Sequence, residues 1–431
     1  MFDRLMSLLR PKPADPYEQF VVAFIEECKR QGRKPTSYDH QTRSFVLGDR
    51  EGSRHTVFLE NTFRMWCQRD VKARAQQLSR FVRSLGEGEV GIDPATLAAE
   101  LMPGIRSRFL FSHALIETWI QGGPEGNDNE TAWTPFCGEL VACVVHDRPD
   151  SMTLVMRSDL ESAKLSFDQA MAQAMAQFRA KTPAPDFVPY PRLPGLYYCS
   201  NLEDYQSSLL LMTPGTDFEL PALDGDAVAL VPSRNQFFVT GSRNRPALKV
   251  LLDLAETAGQ QPHFCSSAPL VWRDGQWVEY AFEAGTNEAV KLRRIATMQL
   301  ASDYDRQKEL LDHLHNKKNK DIFVAKFMVY RKQDQQGSEF SVAALSSGSD
   351  GTLLPVTDRL TFVVVDQIIN PQSGRAEEGA RDIVSVSWSD AMAIAGHLLQ
   401  PVPNLYPPRY RSLGFPDADM WDKLRAKKAA A

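Results

Sequence analysis

The stretch LDGDAVALVPSRNQFFVTGS, Leu223 to Ser242, decides the fold class. Asp224, Gly225 and Asp226 are turn formers, because Gly accepts left-handed backbone and Asp bonds its own neighbouring backbone. An apolar run follows from Ala227 to Val231, Pro-Ser-Arg-Asn interrupts it, and a second run covers Phe237 to Val239. Two short apolar runs so close together predict a β-hairpin, hence antiparallel neighbours. LVWRDGQWVEYAF, Leu270 to Phe282, repeats the pattern about Asp274-Gly275, a dipeptide suited to a two-residue turn.

Helical spacing surrounds these hairpins. Tyr17, Phe20, Val21, Phe24, Ile25 and Cys28 follow an i, i+3, i+4 rhythm, and Leu248, Leu251, Leu252 and Ala255 form a stripe. Asp93 and Ser166 stand as N-caps of IDPATLAAELM and SFDQAMAQAMAQFRAK. SYDHQTRSFVLGDREGSRHTVFLEN reads as two strands, FCGELVACVV as one extended run with Cys137 and Cys143 facing inward, and LSSGSDGTLLP as a loop between antiparallel strands. Without regular βα alternation, the expectation is an α+β protein of two or three units, with mostly antiparallel sheets and packed helices. The units predicted are an amphipathic segment at 1–16, an N-terminal α+β unit at 17–122, a central α+β unit at 132–288, a C-terminal accessory domain at 289–415 and a basic tail at 416–431.

Composition excludes several classes. The 431 residues contain 43% apolar and 24% charged residues, which fits neither a disordered nor a fibrous chain. With 49 basic and 54 acidic side chains the net charge is -5, so no chain-wide attraction to nucleic acid is expected. The six cysteines are scattered and no Cys-x-x-Cys occurs, which argues against a disulfide framework or a zinc ribbon. No run reaches the about 18 apolar residues that span a bilayer, and the predicted location is cytoplasmic. Phe2, Leu5, Met6 and Leu9 share helical spacing beside Arg4 and Arg10; a short helix packed on the body is expected, with weak membrane-surface contact as the other reading.

Three blocks together resemble the bacterial DUF1444 family, over roughly residues 40–285. LMPGIRSR, residues 101–108, is similar to its Leu-Leu-Pro-x-x-Arg-Ser pattern. GELVACVVHD, residues 138–147, resembles a strand that ends in Asp before a helix, and EDYQSSLLL with DGDAVALVPSRNQFFVTGS resembles a tyrosine-containing helix followed by the hairpin. The family has no assigned reaction, so the resemblance implies a bacterial origin and a class, not a chemistry.

Candidate site residues come from the same blocks. Arg106 and Arg108 flank Ser107 on a segment read as extended, which would put both guanidiniums on one face, suited to a carboxylate or phosphate. The competing reading is a salt bridge to Asp147 or Asp226. Asp224 and Asp226 could act as a carboxylate pair but read as turn chemistry, and Ser233 beside Arg234 lacks a local base. His313 and His315 lie about 200° apart on a helix, a poor geometry for a shared metal, and no metal or cofactor is predicted. The first functional expectation is a non-enzymatic module that binds a protein partner through WVEY and NLYPPRYRS. The alternative is an enzyme or sensor that holds a small anionic ligand with Arg106, Arg108, Asp147, Asp226 and Arg234.

Overall fold

The first helix begins at Pro16 because the Asp15 carboxylate accepts the Tyr17 N–H at 2.9 Å and proline suits the first helical position. The structure, a computed structural model, describes residues 15–39, 44–48, 54–67, 69–87, 92–123, 125, 131–148, 152–331, 339–369 and 376–428. The short helix expected around Phe2, Leu5, Met6 and Leu9 lies outside them. Helix α1 (Pro16–Arg30) lays Phe20, Phe24, Ile25 and Cys28 on a sheet of β1 (Lys34–Asp39), β2 (Ser44–Gly48) and β3 (Arg54–Phe58). Helices α2 (Glu60–Cys67) and α3 (Val71–Glu87) complete this core through Trp66, Leu78 and Val82. Three strands form where two were expected.

The central unit starts at α4 (Pro94–Glu100), capped by Asp93, and runs directly into β4 (Leu101–Ser107) and α5 (Arg108–Ile120). Strands β5 (Trp133–Cys137), β6 (Leu140–Asp147) and β7 (Met152–Leu154) follow. β6 pairs with β4 from Leu140 to His146 and with β5 and β7 on its other edge, which explains its nearly continuous apolar sequence. Through β4 and β6 this sheet joins strands from both sides of the expected boundary at 122. Gly138, at φ 54°, turns the chain between β5 and β6, so Cys137 and Cys143 lie on different strands and not on the one extended run expected. Strand β6 pairs antiparallel with β7, and only after β7 come α6 (Arg157–Ser162) and α7 (Phe167–Lys181), so β6 does not lead straight into a helix.

A second sheet has the order β13-β12-β10-β11-β9-β8, built from β8 (Phe187–Pro189), β9 (Leu196–Cys199), β10 (Ala227–Leu230), β11 (Phe238–Gly241), β12 (Leu270–Arg273) and β13 (Gln276–Glu279). Both predicted hairpins are present. Asp274 and Gly275 take φ 51° and 79°, as a two-residue primed turn requires. Helix α8 (Arg245–Thr257) covers one face with Leu248, Leu251, Leu252 and Ala255. On the opposite side, a 3₁₀ segment, Glu203–Leu211, is clamped between the two sheets: Ser208 Oγ donates to Pro103 O at 2.8 Å and the Ser207 N–H to Arg234 O at 3.0 Å.

The long helix α9 (Asn287–Lys317) leads into β14 (Met328–Arg331), β15 (Glu339–Ser346), β16 (Leu353–Pro355), β17 (Arg359–Ile369), β18 (Ala376–Ser387), α10 (Trp388–Ala395), β19 (Leu399–Val402), β20 (Arg409–Ser412) and α11 (Ala418–Lys428). β15 and β17 pair in parallel, so LSSGSDGTLLP is no antiparallel loop; it carries β16 into a different sheet, beside β20 and β19. Helix α11 replaces the expected basic tail, with Leu424 fully buried. The lysines after α9 are also engaged: Lys318 and Lys320 hold Glu125, and Lys317 donates to Ile120 O. Helices packed on mostly antiparallel sheets make this an α+β protein. Among the described residues, no helix is long and apolar enough to cross a membrane.

Candidate anion site

Strand β4 ends because Ser107 is a helix cap: its Oγ accepts the Phe109 N–H at 3.3 Å. The chain turns from strand to helix between the two arginines, so Arg106 and Arg108 do not share a face. Arg106 is 6% exposed and its guanidinium curls back over Gly104. A Cβ at Gly104 would stand 3.3 Å from Arg106 Nη1 and 3.1 Å from Cys143 Sγ, so a larger residue there would have to push one of them aside by a few tenths of an ångström. Nη1 donates to Ile105 O at 2.8 Å, and Nη2 points at Met152 Sδ, 3.1 Å away.

Arg234 arrives from the β10–β11 turn. Its Nε donates to Asp204 Oδ1 at 3.1 Å, and its Nη1 lies 3.9 Å from the same Met152 sulfur. Two guanidiniums thus converge on one thioether, a weak acceptor. Burial holds the Arg234 pKa below its usual value, Asp204 opposes this and Arg106 adds to it. Among the described residues, Arg106 makes no ion pair. The salt bridge to Asp147 or Asp226 is therefore not formed.

Three further groups enclose the pair. Asp147, at the end of β6, faces Tyr205; burial and then this carboxylate push the phenol upward. His263, at φ 53°, has a left-handed backbone, and its carbonyl accepts the Arg234 N–H at 3.2 Å. Its imidazole is pushed down to about 3 by burial, then by Arg234 and Arg106, so it is neutral at physiological pH. Cys265 and Cys143 are driven up to about 12 and about 11 by burial, which keeps both as thiols. The Cys265 and Ser207 side chains reach the same carbonyl as Arg106, that of Ile105, at 3.5 and 3.4 Å.

Two predicted residues stand elsewhere. Asp226 sits at the far end of β10 from Arg234, in the turn that its sequence predicted, and pairs with exposed Arg273 at 3.3 Å. Arg108 opens α5 and lines a separate cavity of about 250 Å³ with Trp133 and Tyr406. A cleft of about 340 Å³ between α2, α8 and α9 contains Arg64, Arg294 and Arg306, with Glu256 paired to Arg294. His313 is exposed and His315 buried, on opposite faces of α9. No cluster of three His, Cys, Asp or Glu side chains suited to a metal occurs among the described residues.

Met152, Asp204, Tyr205 and His263 were not singled out by sequence. Asp204 and Tyr205 lie in the quoted EDYQSS block, which marked the segment without marking their role. Met152 and His263 carry no local signal, since their importance arises from three-dimensional convergence. No protein-family model, curated protein or solved structure matches this chain.

Proposed function

We propose that the protein binds a small anionic ligand, a carboxylate or a phosphate, between Arg106 and Arg234. The observation that carries this reading is the convergence of buried Arg106 and half-buried Arg234 on the Met152 sulfur, with no ion pair at Arg106 among the described residues. Desolvated guanidiniums demand acceptors, and oxyanions that offer paired oxygens meet that demand better than a thioether. Solvent reaches the cluster past Arg234 and Asp204, whose side chains are 18% and 47% exposed. Neutral His263 can donate or accept a hydrogen bond there without adding charge. In this account the ligand displaces Met152 and takes its place between the arginines.

The three blocks that resemble the DUF1444 family supply Arg106, Asp147, Asp204, Tyr205 and Arg234. Membership of that family, a bacterial cytoplasmic setting and an anion site at this convergence form one proposal. The first expectation, protein docking through WVEY and NLYPPRYRS, has less support, because Trp277 and Arg409 of these stretches are buried while Glu279 and Arg411 are exposed. Calorimetric titration with acetate and with inorganic phosphate tests the reading. Wild type is expected to bind at least one of them saturably, with affinity reduced about tenfold or more in Arg106→Met and in Arg234→Met. Equal affinity in all three proteins would refute it.

A further inference from the structure

A second set of residues, sharing none with the Arg106–Arg234 cluster, encloses the cavity of about 250 Å³ where the central unit meets the C-terminal domain. Arg108 opens α5, Trp133 opens β5, Arg157 opens α6, and Asn404 and Tyr406 come from the stretch between β19 and β20. The Tyr406 N–H donates to Ser112 Oγ at 2.9 Å, which fixes that stretch against α5. The Arg108 guanidinium lies 5.0 Å from the Tyr406 ring centroid and 5.8 Å from that of Trp133. Arg108 makes no ion pair among the described residues. When the face of a guanidinium rests on aromatic rings, its N–H edges remain able to make paired bonds to a planar anion.

We infer that this cavity is a second binding site, for a small planar aromatic carboxylate that stacks beside Trp133 and Tyr406 and pairs with Arg108. The volume suits a single ring bearing one acid group, since it falls below the roughly 300–1,000 Å³ of sites for larger ligands. The walls supply the other two requirements: Trp133, Tyr406 and Phe111 give flat apolar surface, and Arg108 gives a fork of donors. Phosphate has no flat apolar face for Trp133 and Tyr406 to cover, so the rings select the aromatic acid over phosphate. Such a ligand touches both the central and the C-terminal units, and its binding strengthens their contact.

Benzoate is the probe, titrated into the full chain by calorimetry with inorganic phosphate as competitor. Saturable binding with a Kd of about 1 mM or tighter is expected, undisturbed by phosphate. Arg108→Gln and Tyr406→Leu should each weaken it about tenfold or more, whereas Tyr406→Phe keeps the ring and the affinity. Arg234→Met should leave benzoate binding unchanged, which separates this site from the proposed anion site. Absence of saturable binding by wild type overturns the inference. So does wild-type affinity in folded Arg108→Gln or Tyr406→Leu, or loss of binding in Arg234→Met alone.

Discussion

Arg409 and Arg106 are both buried arginines without a carboxylate, yet their surroundings differ. Arg409 donates to Gln307 Oε1 at 2.5 Å, to the carbonyls of Ala325 and Leu353 at 2.9 and 3.1 Å, and to Tyr304 O at 3.3 Å. Its guanidinium also lies 5.1 Å from the Tyr304 ring centroid. Burial pulls its pKa down to about 10, still charged at neutral pH. These bonds, with those from Tyr304 and Gln307 to Pro408 O and Pro407 O, rivet the proline-rich stretch to α9. Arg106 has one carbonyl and one sulfur. A guanidinium has five N–H donors, and the comparison separates one that is satisfied by its own protein from one that still lacks strong acceptors.

The largest effect expected from this contrast is on stability. Arg409→Met leaves several buried acceptors without a donor and should cost about 3–5 kcal/mol, read as a drop in the urea midpoint. Arg106→Met removes far less and should cost no more than about 1.5 kcal/mol. A cost as large at Arg106 as at Arg409 would erase the distinction between the two sites.

Titration of His263 sharpens the contrast next. The folded protein holds this imidazole at about 3, against an ordinary 6.5, so only the unfolded chain takes up its proton near pH 6. The contribution is fully present above pH 6.5 and is lost progressively as the pH falls toward 3. Between pH 7 and pH 5 the loss should be about 2 kcal/mol, and His263→Gln should flatten that part of the stability profile. An unchanged slope in the variant would mean that His263 does not sit desolvated beside the arginines.

The smallest effect is steric. Gly104→Ala pushes a methyl against Arg106 Nη1 and Cys143 Sγ, and should cost about 1 kcal/mol while weakening anion affinity. Stability loss with wild-type affinity would show that the placement of the Arg106 guanidinium is unimportant for binding.

Much of the fold was legible because its signals are local. Asp274-Gly275 specified its hairpin, Asp93 and Ser166 capped the helices that they preceded, and the stripe from Leu248 to Ala255 identified the buried face of α8. Pairings distant in sequence were not legible. Nothing in SSGSDGT announces that β15 and β17 run parallel, and prolines beside Arg409 gave no hint that the next residues form the central strand of a small sheet. At the site, Arg106 and Arg234 were visible as arginines among apolar strands. Ser107 was missed as a cap, which wrongly joined Arg106 to Arg108, and Met152 is an ordinary strand residue until two guanidiniums meet on its sulfur.

Arginine side-chain NMR of the full chain, followed through a titration with inorganic phosphate and then acetate, reads both environments in one sample. The account predicts that the Arg106 and Arg234 guanidinium signals move together and saturate with at least one of these anions, while the Arg409 signals stay fixed. Signals of Arg106 and Arg234 that remain still with both anions, or that drift linearly like those of exposed arginines, would contradict it.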